Sequence, residues 1–384
     1  MGVIDPVVEA RSLLEIPVTR VIEDWKSAHR QGKAVGWFPV FSPVELTHAA
    51  GMFPIAIAGG GNVMEIAHAD SRFQSFICSI IKSTLELGLT GQLENLDGMI
   101  FHSICDPAKN LASVFRRNFP NLMVEFIHFP QNLKSILAEE YLIAEYARIR
   151  ARLADLAGRR ITDDEIRSSI SLYNGLRARI RRLDEIRRDM PNRLSAAEAA
   201  ALLRAGARMM PEDFSALLDG AIDAVCRREI TARDLIPVVL EGSFCEQPPL
   251  ELIESIEEAG CSILHDDLQL GLRWFTADIP ADGDPLRALA RSYISSSVHS
   301  AVKHDLRYRK AAPLIEKVRR TGAQAVVVLA AKFCEPALFD YALYRQALET
   351  NGIPHVLLEF EEKMWVFDKI RSEVETFVES MMFA

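Results

Sequence analysis

A short pattern that occurs twice constrains the fold of this chain more than any other feature. Each copy is an apolar run of strand length, followed by a cysteine, an acid, a proline and an alanine that open a helix. The first copy follows residues 99–102 and reads Cys105-Asp106-Pro107-Ala108, and the second follows residues 325–329 and reads Cys334-Glu335-Pro336-Ala337. Because ligands of open α/β sheets bind beyond the carboxyl ends of strands, the repetition predicts two halves that hold something between them.

Strand-like runs alternate with helical patterns in two blocks of the chain. These runs cover residues 34–38, 54–58, 98–102 and 124–129, and then 238–240, 262–265, 325–329 and 355–360. Such alternation predicts an α/β protein with two doubly wound parallel sheets of the Rossmann or flavodoxin-like type. Between the blocks, apolar residues recur at helical spacing without a strand pattern. We therefore predict an N-terminal α/β domain at 1–132, a helical segment at 133–235 and a C-terminal α/β domain at 236–384.

Local signals predict several helices. Residues 7–31 read as one helix, and residues 73–87 read as a helix that carries Cys78. Thr162 and Glu165 form a capping-box pattern ahead of a long helix. The arginines of the helical segment predict either a solvated face paired with acids or a patch for an anionic ligand.

Composition and charge exclude some classes of function. The chain has 384 residues and a net charge of −9, which gives no support for nucleic-acid binding. Its apolar runs are too short for a membrane-spanning helix, and its first residues lack a signal-peptide pattern. We therefore expect a cytoplasmic protein with no nucleic-acid or membrane partner.

Two of the six cysteines are the strongest candidates for chemistry. Cys105 and Cys334 each follow a strand and open a helix, where the helix dipole favours a thiolate. Cys78 is a third candidate, because the helix between the second and third strands can bring its first turns near the same edge. Disulfides are rare in the cytoplasm, so metal ligation, reactivity and packing remain as roles.

The other cysteines carry weaker signals. Cys245 also follows a strand and is equally consistent with a site residue and with packing. Cys226 and Cys261 are predicted to lie in the core.

Three cysteines from separated segments form neither a zinc knuckle nor a ferredoxin run. They could hold a [4Fe–4S] cluster through three irons and leave the fourth iron open to water or substrate. Zinc and a reactive thiol fit the same residues, so these alternatives stay open.

Several other residues are candidates for supporting roles. His265-Asp266-Asp267 follows a strand and predicts either a proton donor or a helix cap. Lys109 lies one helical turn after Cys105, where it could favour a thiolate or meet an anion. Phe41 and Trp274 predict either the wall of an apolar pocket or core packing.

Taken together, the ordered motifs show that the chain resembles the 2-hydroxyacyl-CoA dehydratase and benzoyl-CoA reductase family. The resemblance covers nearly the whole length. Its motifs are Ser42-Pro43-Val44-Glu45-Leu46, Ala50-Gly51-Met52-Phe53-Pro54, Cys105-Asp106-Pro107-Ala108-Lys109, Tyr173-Asn174, Gly242-Ser243, residues 249–254, His265-Asp266-Asp267, Gly271, Arg273 and Lys332-Phe333-Cys334-Glu335-Pro336.

The resemblance implies a heterodimer in which each homologous subunit holds a [4Fe–4S] cluster by three cysteines, here Cys78, Cys105 and Cys334. It also implies an ATP-hydrolysing activator with its own [4Fe–4S] cluster, a ferredoxin as upstream donor and an acyl-CoA substrate. Within the family the chain is most similar to the smaller, gamma-type cluster-bearing subunit of class I ATP-dependent benzoyl-CoA reductase.

The activity implied is the dearomatising one-electron reduction of an aryl-CoA thioester with protonation. The alternatives are a subunit of a 2-hydroxyacyl-CoA dehydratase that uses a ketyl radical, and a non-catalytic subunit that only carries electrons. The resemblance assigns no catalytic residue.

Overall fold

The computed structural model of the protein describes residues 5–61, 64–229, 234–242, 245–267, 277–296, 311–361 and 363–383. Its described strands form two separate four-stranded sheets in which all neighbours are parallel. The prediction of an α/β fold with two parallel sheets is therefore confirmed.

The first sheet has the order β2-β1-β3-β4. Its strands are β1 (Ala34–Trp37), β2 (Phe53–Ala56), β3 (Gly98–His102) and β4 (Met123–Ile127). Nearly every residue in them is buried, as expected for parallel strands that are covered by helices on both faces.

The second sheet repeats the arrangement with the order β6-β5-β7-β8. Its strands are β5 (Ile236–Gly242), β6 (Cys261–Asp266), β7 (Ala325–Ala331) and β8 (His355–Phe360). In both sheets the second strand of the chain lies outside the first, which is the flavodoxin-like order.

The helices of the N-terminal half begin with two where the sequence predicted one. They are α1 (Pro6–Glu15), α2 (Val18–Ala28), α3 (Val44–Ala49), α4 (Ser79–Leu89) and α5 (Asp106–Asn118). The predicted helix at 7–31 is wrong as a single element, because Ile16 is extended and Pro17 lacks the N–H that would continue the ladder.

The segment 138–227, which connects the two halves, contains helices and no strand among its described residues. They are α6 (Ala138–Ala157), α7 (Asp163–Asp189), α8 (Ala196–Gly206) and α9 (Pro211–Arg227). The predicted capping box of α7 is confirmed, since Thr162 Oγ1 accepts from Glu165 N and Glu165 accepts from Thr162 N at 2.7 Å.

Most arginines of this segment pair with acids, as one of the two interpretations predicted. Surface pairs include Arg148 and Arg152 with Glu125, and Arg179 with Asp219. Two arginines of α7, Arg177 and Arg187, are buried instead of solvated.

The C-terminal half contributes α10 (Leu250–Glu258), α11 (Pro285–Ser296), α12 (Ala312–Thr321), α13 (Glu335–Thr350) and α14 (Asp368–Met382). Although α11 follows β6 in the chain, it packs on α6 and on the N-terminal core. Tyr293 of α11 stacks on Phe129, with ring centroids 4.1 Å apart. The domain boundaries at 132 and 235 remain predictions, and α11 shows that the spatial division does not follow the chain order.

None of the described helices is both long and apolar enough to cross a membrane.

Candidate functional site

A cavity of about 1160 Å³ lies between the two halves, and Cys78, Cys105 and Cys334 all line it. Residues that follow the carboxyl ends of β3 and β4 form one wall of the cavity, and residues that follow β7 form the opposite wall. The structure therefore brings the three strongest sequence candidates to one place.

Each of these cysteines is the residue immediately before a helix. Cys78 precedes α4, Cys105 precedes α5 and Cys334 precedes α13. The prediction that Cys78 lies on its helix is thus wrong, because the helix begins at Ser79. Three helix N-termini meet at the cavity, and their dipoles favour a negatively charged group there.

Burial raises the pKa of two of these thiols. The pKa of Cys78 lies well above its ordinary value because of burial, with further increases from the charges of Glu246, Cys334 and Cys105. Burial raises the pKa of Cys105 to about 12, and the charge of Cys334 adds to that effect. The sulfurs are therefore close enough for their thiolates to repel one another.

This electrostatic environment bears on the kind of site. A reactive thiol needs a lowered pKa, so the raised values disfavour a nucleophilic role for Cys78 and Cys105. A bound metal centre reverses the repulsion, because its positive charge stabilises coordinating thiolates outright. The cysteines of the cavity wall thus have the donor chemistry of metal ligands.

Among the residues that the structure describes, no three His, Cys, Asp or Glu side chains converge closely enough to hold a single metal ion. A four-iron cluster makes a different demand, because each cysteine binds a different iron. Its ligands stand around a body of several atoms, as the three cysteines stand around this cavity.

The mouth of the cavity is rimmed by exposed apolar side chains. They are Phe76, Leu137, Tyr141, Phe333 and Phe339, which are between 43% and 73% exposed. Large apolar side chains in one exposed patch mark a surface that another molecule covers.

Lys109 and His128 are polar members of the wall. Lys109 lies one helical turn after Cys105, and its backbone N–H donates to Cys105 O at 3.1 Å. Its role toward a thiolate or an anion stays a prediction.

The turn before Cys334 contains an unusual backbone conformation. Phe333 has a φ of 64°, in the left-handed region that a bulky residue seldom adopts. This turn lets Cys334 N donate to Ala331 O at 3.0 Å, which directs the chain from β7 into α13.

The remaining cysteines lie elsewhere. Cys245 is partly buried, packs on the N-terminal core and has its Sγ 4.0 Å from Pro39 O, and it does not line the cavity. Cys261 is fully buried, as predicted. The prediction of a core position for Cys226 is wrong, because the last turn of α9 turns this side chain to solvent.

His265, Asp266 and Asp267 belong to a separate ionic cluster and do not line the cavity. Asp266 pairs with Arg187, Asp267 pairs with Lys317, and His265 lies 3.7 Å from Asp184. Of the two interpretations of this motif, the proton donor is not supported by its position. The helix cap stays a prediction, because residues 268–276 lie outside the described residues.

The two aromatic candidates have different outcomes. Phe41 is buried in the N-terminal core with its ring edge-on to Tyr293 and Phe129, and it also lines a small cavity beside Tyr293, so both interpretations have support. Trp274 lies outside the described residues, as do Gly271 and Arg273 of the family motif.

Sequence reasoning missed Glu246, which is buried beside Cys78. Its carboxylate accepts from Ser79 Oγ at 2.8 Å and from Ile80 N at 3.2 Å. The signal was present, because Cys245-Glu246 repeats the cysteine–acid pair of the other two corners.

Comparison with known proteins identifies the family. The model of the family described as 2-hydroxyglutaryl-CoA dehydratase, D-component, matches residues 39–381. The chain belongs to this family. The resemblance inferred from the motifs is thereby confirmed.

Subunits of enzymes with different activities are similar to the chain over nearly its whole length. A benzoyl-CoA reductase subunit of Thauera aromatica is 35% identical, with 99% of each chain covered. The beta subunit of lactoyl-CoA dehydratase of Anaerotignum propionicum is 29% identical, with 94% of this chain and 95% of the relative covered. The beta subunit of (R)-2-hydroxyglutaryl-CoA dehydratase of Acidaminococcus fermentans is 27% identical, with 91% and 92% covered.

These relatives are subunits of enzymes, and both reductases and dehydratases are among them. The family therefore supports an enzyme subunit that works with other chains. It does not by itself choose between the two reactions.

Proposed function

We propose that this chain is an iron–sulfur subunit of an ATP-dependent, dearomatising benzoyl-CoA reductase. The observation that carries the proposal is the convergence of Cys78, Cys105 and Cys334 on one cavity between the halves. Similarity to a benzoyl-CoA reductase subunit at 35% identity over 99% of both chains supports the choice of substrate class. It likewise supports the gamma-type subunit as the counterpart of this chain.

In this proposal the three cysteines hold a [4Fe–4S] cluster and leave one iron without a protein thiolate. When bound, such a cluster supplies single electrons, at potentials that reach about −700 mV in the low extreme. Reduction of an aromatic thioester needs such low potentials, so a separate ATP-hydrolysing activator with its own cluster, fed by a ferredoxin, is part of the proposal.

The residues around the cysteines have defined tasks. The N-termini of α4, α5 and α13 stabilise negative charge at the cavity. Phe76, Phe333 and Phe339 exclude water from it once the mouth is covered. Lys109 and His128 are among the wall residues whose side chains can carry a transferable proton to a bound acyl-CoA.

A homologous cluster-bearing subunit is the proposed cover of the exposed apolar rim. The relatives are named as subunits, and the rim is the apolar surface that such a subunit would bury. This arrangement would enclose the acyl group between two chains, away from water and oxygen.

The first test is iron and sulfide content with electron paramagnetic resonance on protein purified without oxygen. We expect about four irons per chain in the wild type. We expect their loss in Cys78→Ala, Cys105→Ala and Cys334→Ala. The matched control is Cys245→Ala, whose cysteine is partly buried like Cys105 but lies off the cavity wall, and it should keep its iron.

The reaction is tested with the assembled, activated complex. Reduction of the ring of benzoyl-CoA supports the proposal. Loss of water from a 2-hydroxyacyl-CoA without ring reduction would instead establish a dehydratase subunit. A cluster whose spectrum no acyl-CoA changes would establish an electron carrier, and a colourless protein that holds zinc would overturn the redox function altogether.

A further inference from the structure

Glu246 joins the two halves at the base of α4. It lies in the loop between β5 and α10, is 2% exposed, and accepts hydrogen bonds from Ser79 Oγ and Ile80 N of α4. The amide of Ile80, the second residue of α4, belongs to the N–H groups at a helix start that have no partner within the helix. The carboxylate therefore does from the other half what the side chain of an N-cap residue usually does within its own helix.

The loop that carries Glu246 is held against the N-terminal half by a second contact. Cys245 packs on the N-terminal core, with its Sγ 4.0 Å from Pro39 O. The position of Glu246 is thus set by its hydrogen bonds to α4 and by the packing of its neighbour Cys245 on the N-terminal core.

The same carboxylate lies beside Cys78, because both of its hydrogen-bond donors belong to the two residues that follow Cys78 in the chain. A fixed negative charge next to an iron–sulfur cluster disfavours the added electron, and net charge near a cluster is among the determinants of its potential.

We propose that Glu246 is a positioning residue for Cys78, which caps α4 from the opposite half and keeps the reduction potential of a bound cluster low. The capping part depends only on the chain itself. The potential part rests on the cluster proposed above.

Hydrogen exchange of the full-length protein tests the capping part. In Glu246→Ala, the amides of the first turn of α4 should exchange on the order of ten-fold faster, because the helix end loses its cap. Glu246→Gln should restore most of the protection, since its amide oxygen can accept from Ile80 N. The first turn of α5 is the internal reference, and unchanged exchange in α4 of Glu246→Ala would overturn the capping role.

A redox titration followed by electron paramagnetic resonance tests the potential part. Glu246→Gln should keep its iron and show a higher reduction potential than the wild type. Ser79→Ala removes a hydrogen bond and leaves the charge, so its potential should stay at the wild-type value. An unchanged potential in iron-loaded Glu246→Gln would overturn this part.

The two arms separate the failure of this inference from the failure of the proposed function. A wild-type protein without a cluster would refute the proposed function and the potential part together. The exchange result would still decide whether Glu246 caps α4.

Discussion

The two α/β halves share one strand order but are attached to the long helix α7 in different ways. In the N-terminal half, Glu45 of α3 pairs with Arg177, and both side chains are almost fully buried. In the C-terminal half, Asp266 at the end of β6 pairs with Arg187 at 2.6 Å, again in the interior. Each half therefore contributes one buried acid to one arginine of the same helix.

The difference lies in where the acid comes from. The strand of the first sheet that corresponds to β6 is β2, which ends in the apolar Ala56. The shared topology therefore does not determine which residue type ends each strand. The carboxyl end of β6 carries Asp266, which binds α7. In the N-terminal half, the carboxyl end of β3 leads instead to Cys105 and the cavity.

Removing one of the two arginines should have the largest effect on stability. We expect Arg187→Met to lower the free energy of unfolding by about 3–5 kcal/mol, because it leaves Asp266 buried without its ion pair. Urea denaturation measures the change. Arg182→Met, on an exposed part of the same helix, should stay within about 0.5 kcal/mol of wild type. A similarly small loss for Arg187→Met would contradict a supporting role of the pair.

The histidines at the ends of β3 and β6 should differ in their effect on pH dependence. Burial lowers the pKa of His102 from 6.5 to about 3, and its Nε2 lies 3.0 Å from Phe38 O. Between about pH 3 and pH 6.5, the unfolded chain therefore binds one proton more than the folded protein. Stability should fall by about 1.4 kcal/mol per pH unit as the pH drops below 6.5.

Burial also lowers the pKa of His265, but the carboxylate of Asp184 opposes the shift. In unfolding experiments between about pH 7 and about pH 5, His102→Asn should flatten the slope more than His265→Asn. Equal slopes in wild type and His102→Asn would show that His102 is not the group responsible.

The smallest expected effect distinguishes the two cysteine corners. Phe333 before Cys334 has a positive φ, whereas Ile104 before Cys105 does not. Glycine should therefore be more stable than valine at position 333, by about 1–2 kcal/mol. At position 104 the order should reverse, because Ile104 is buried and glycine would leave a void. Thermal unfolding of the four variants measures both differences, and the same order at both corners would refute the comparison.

Strands were the part of the fold that the sequence predicted best. Residues 98–102 and 355–360 match β3 and β8 at both ends. β3 is buried along its whole length, and β8 carries the apolar run Val356-Leu357-Leu358 at its centre. Helix boundaries were less certain. Pro17 divides the first predicted helix. Cys78 was predicted within a helix, but it is the residue before α4.

The site was predictable to the extent that its residues follow strands. Cys105 and Cys334 come directly from that rule, and both line the cavity. Their roles as cluster ligands, together with that of Cys78, stay predictions until iron is measured. Glu246 escaped notice because the repeated cysteine–acid pair does not reveal that its carboxylate caps a helix of the other half.

By itself the sequence determined the alternation of strands and helices, the two parallel sheets and the family. Local apolar patterns and short motifs determine these features, since they depend on neighbours along the chain. Only the tertiary structure decided that three helix N-termini meet at one cavity, that α11 returns to the N-terminal core, and that Asp266 serves α7. Those contacts join residues far apart in the chain, and their positions follow from how the two sheets and α7 pack together.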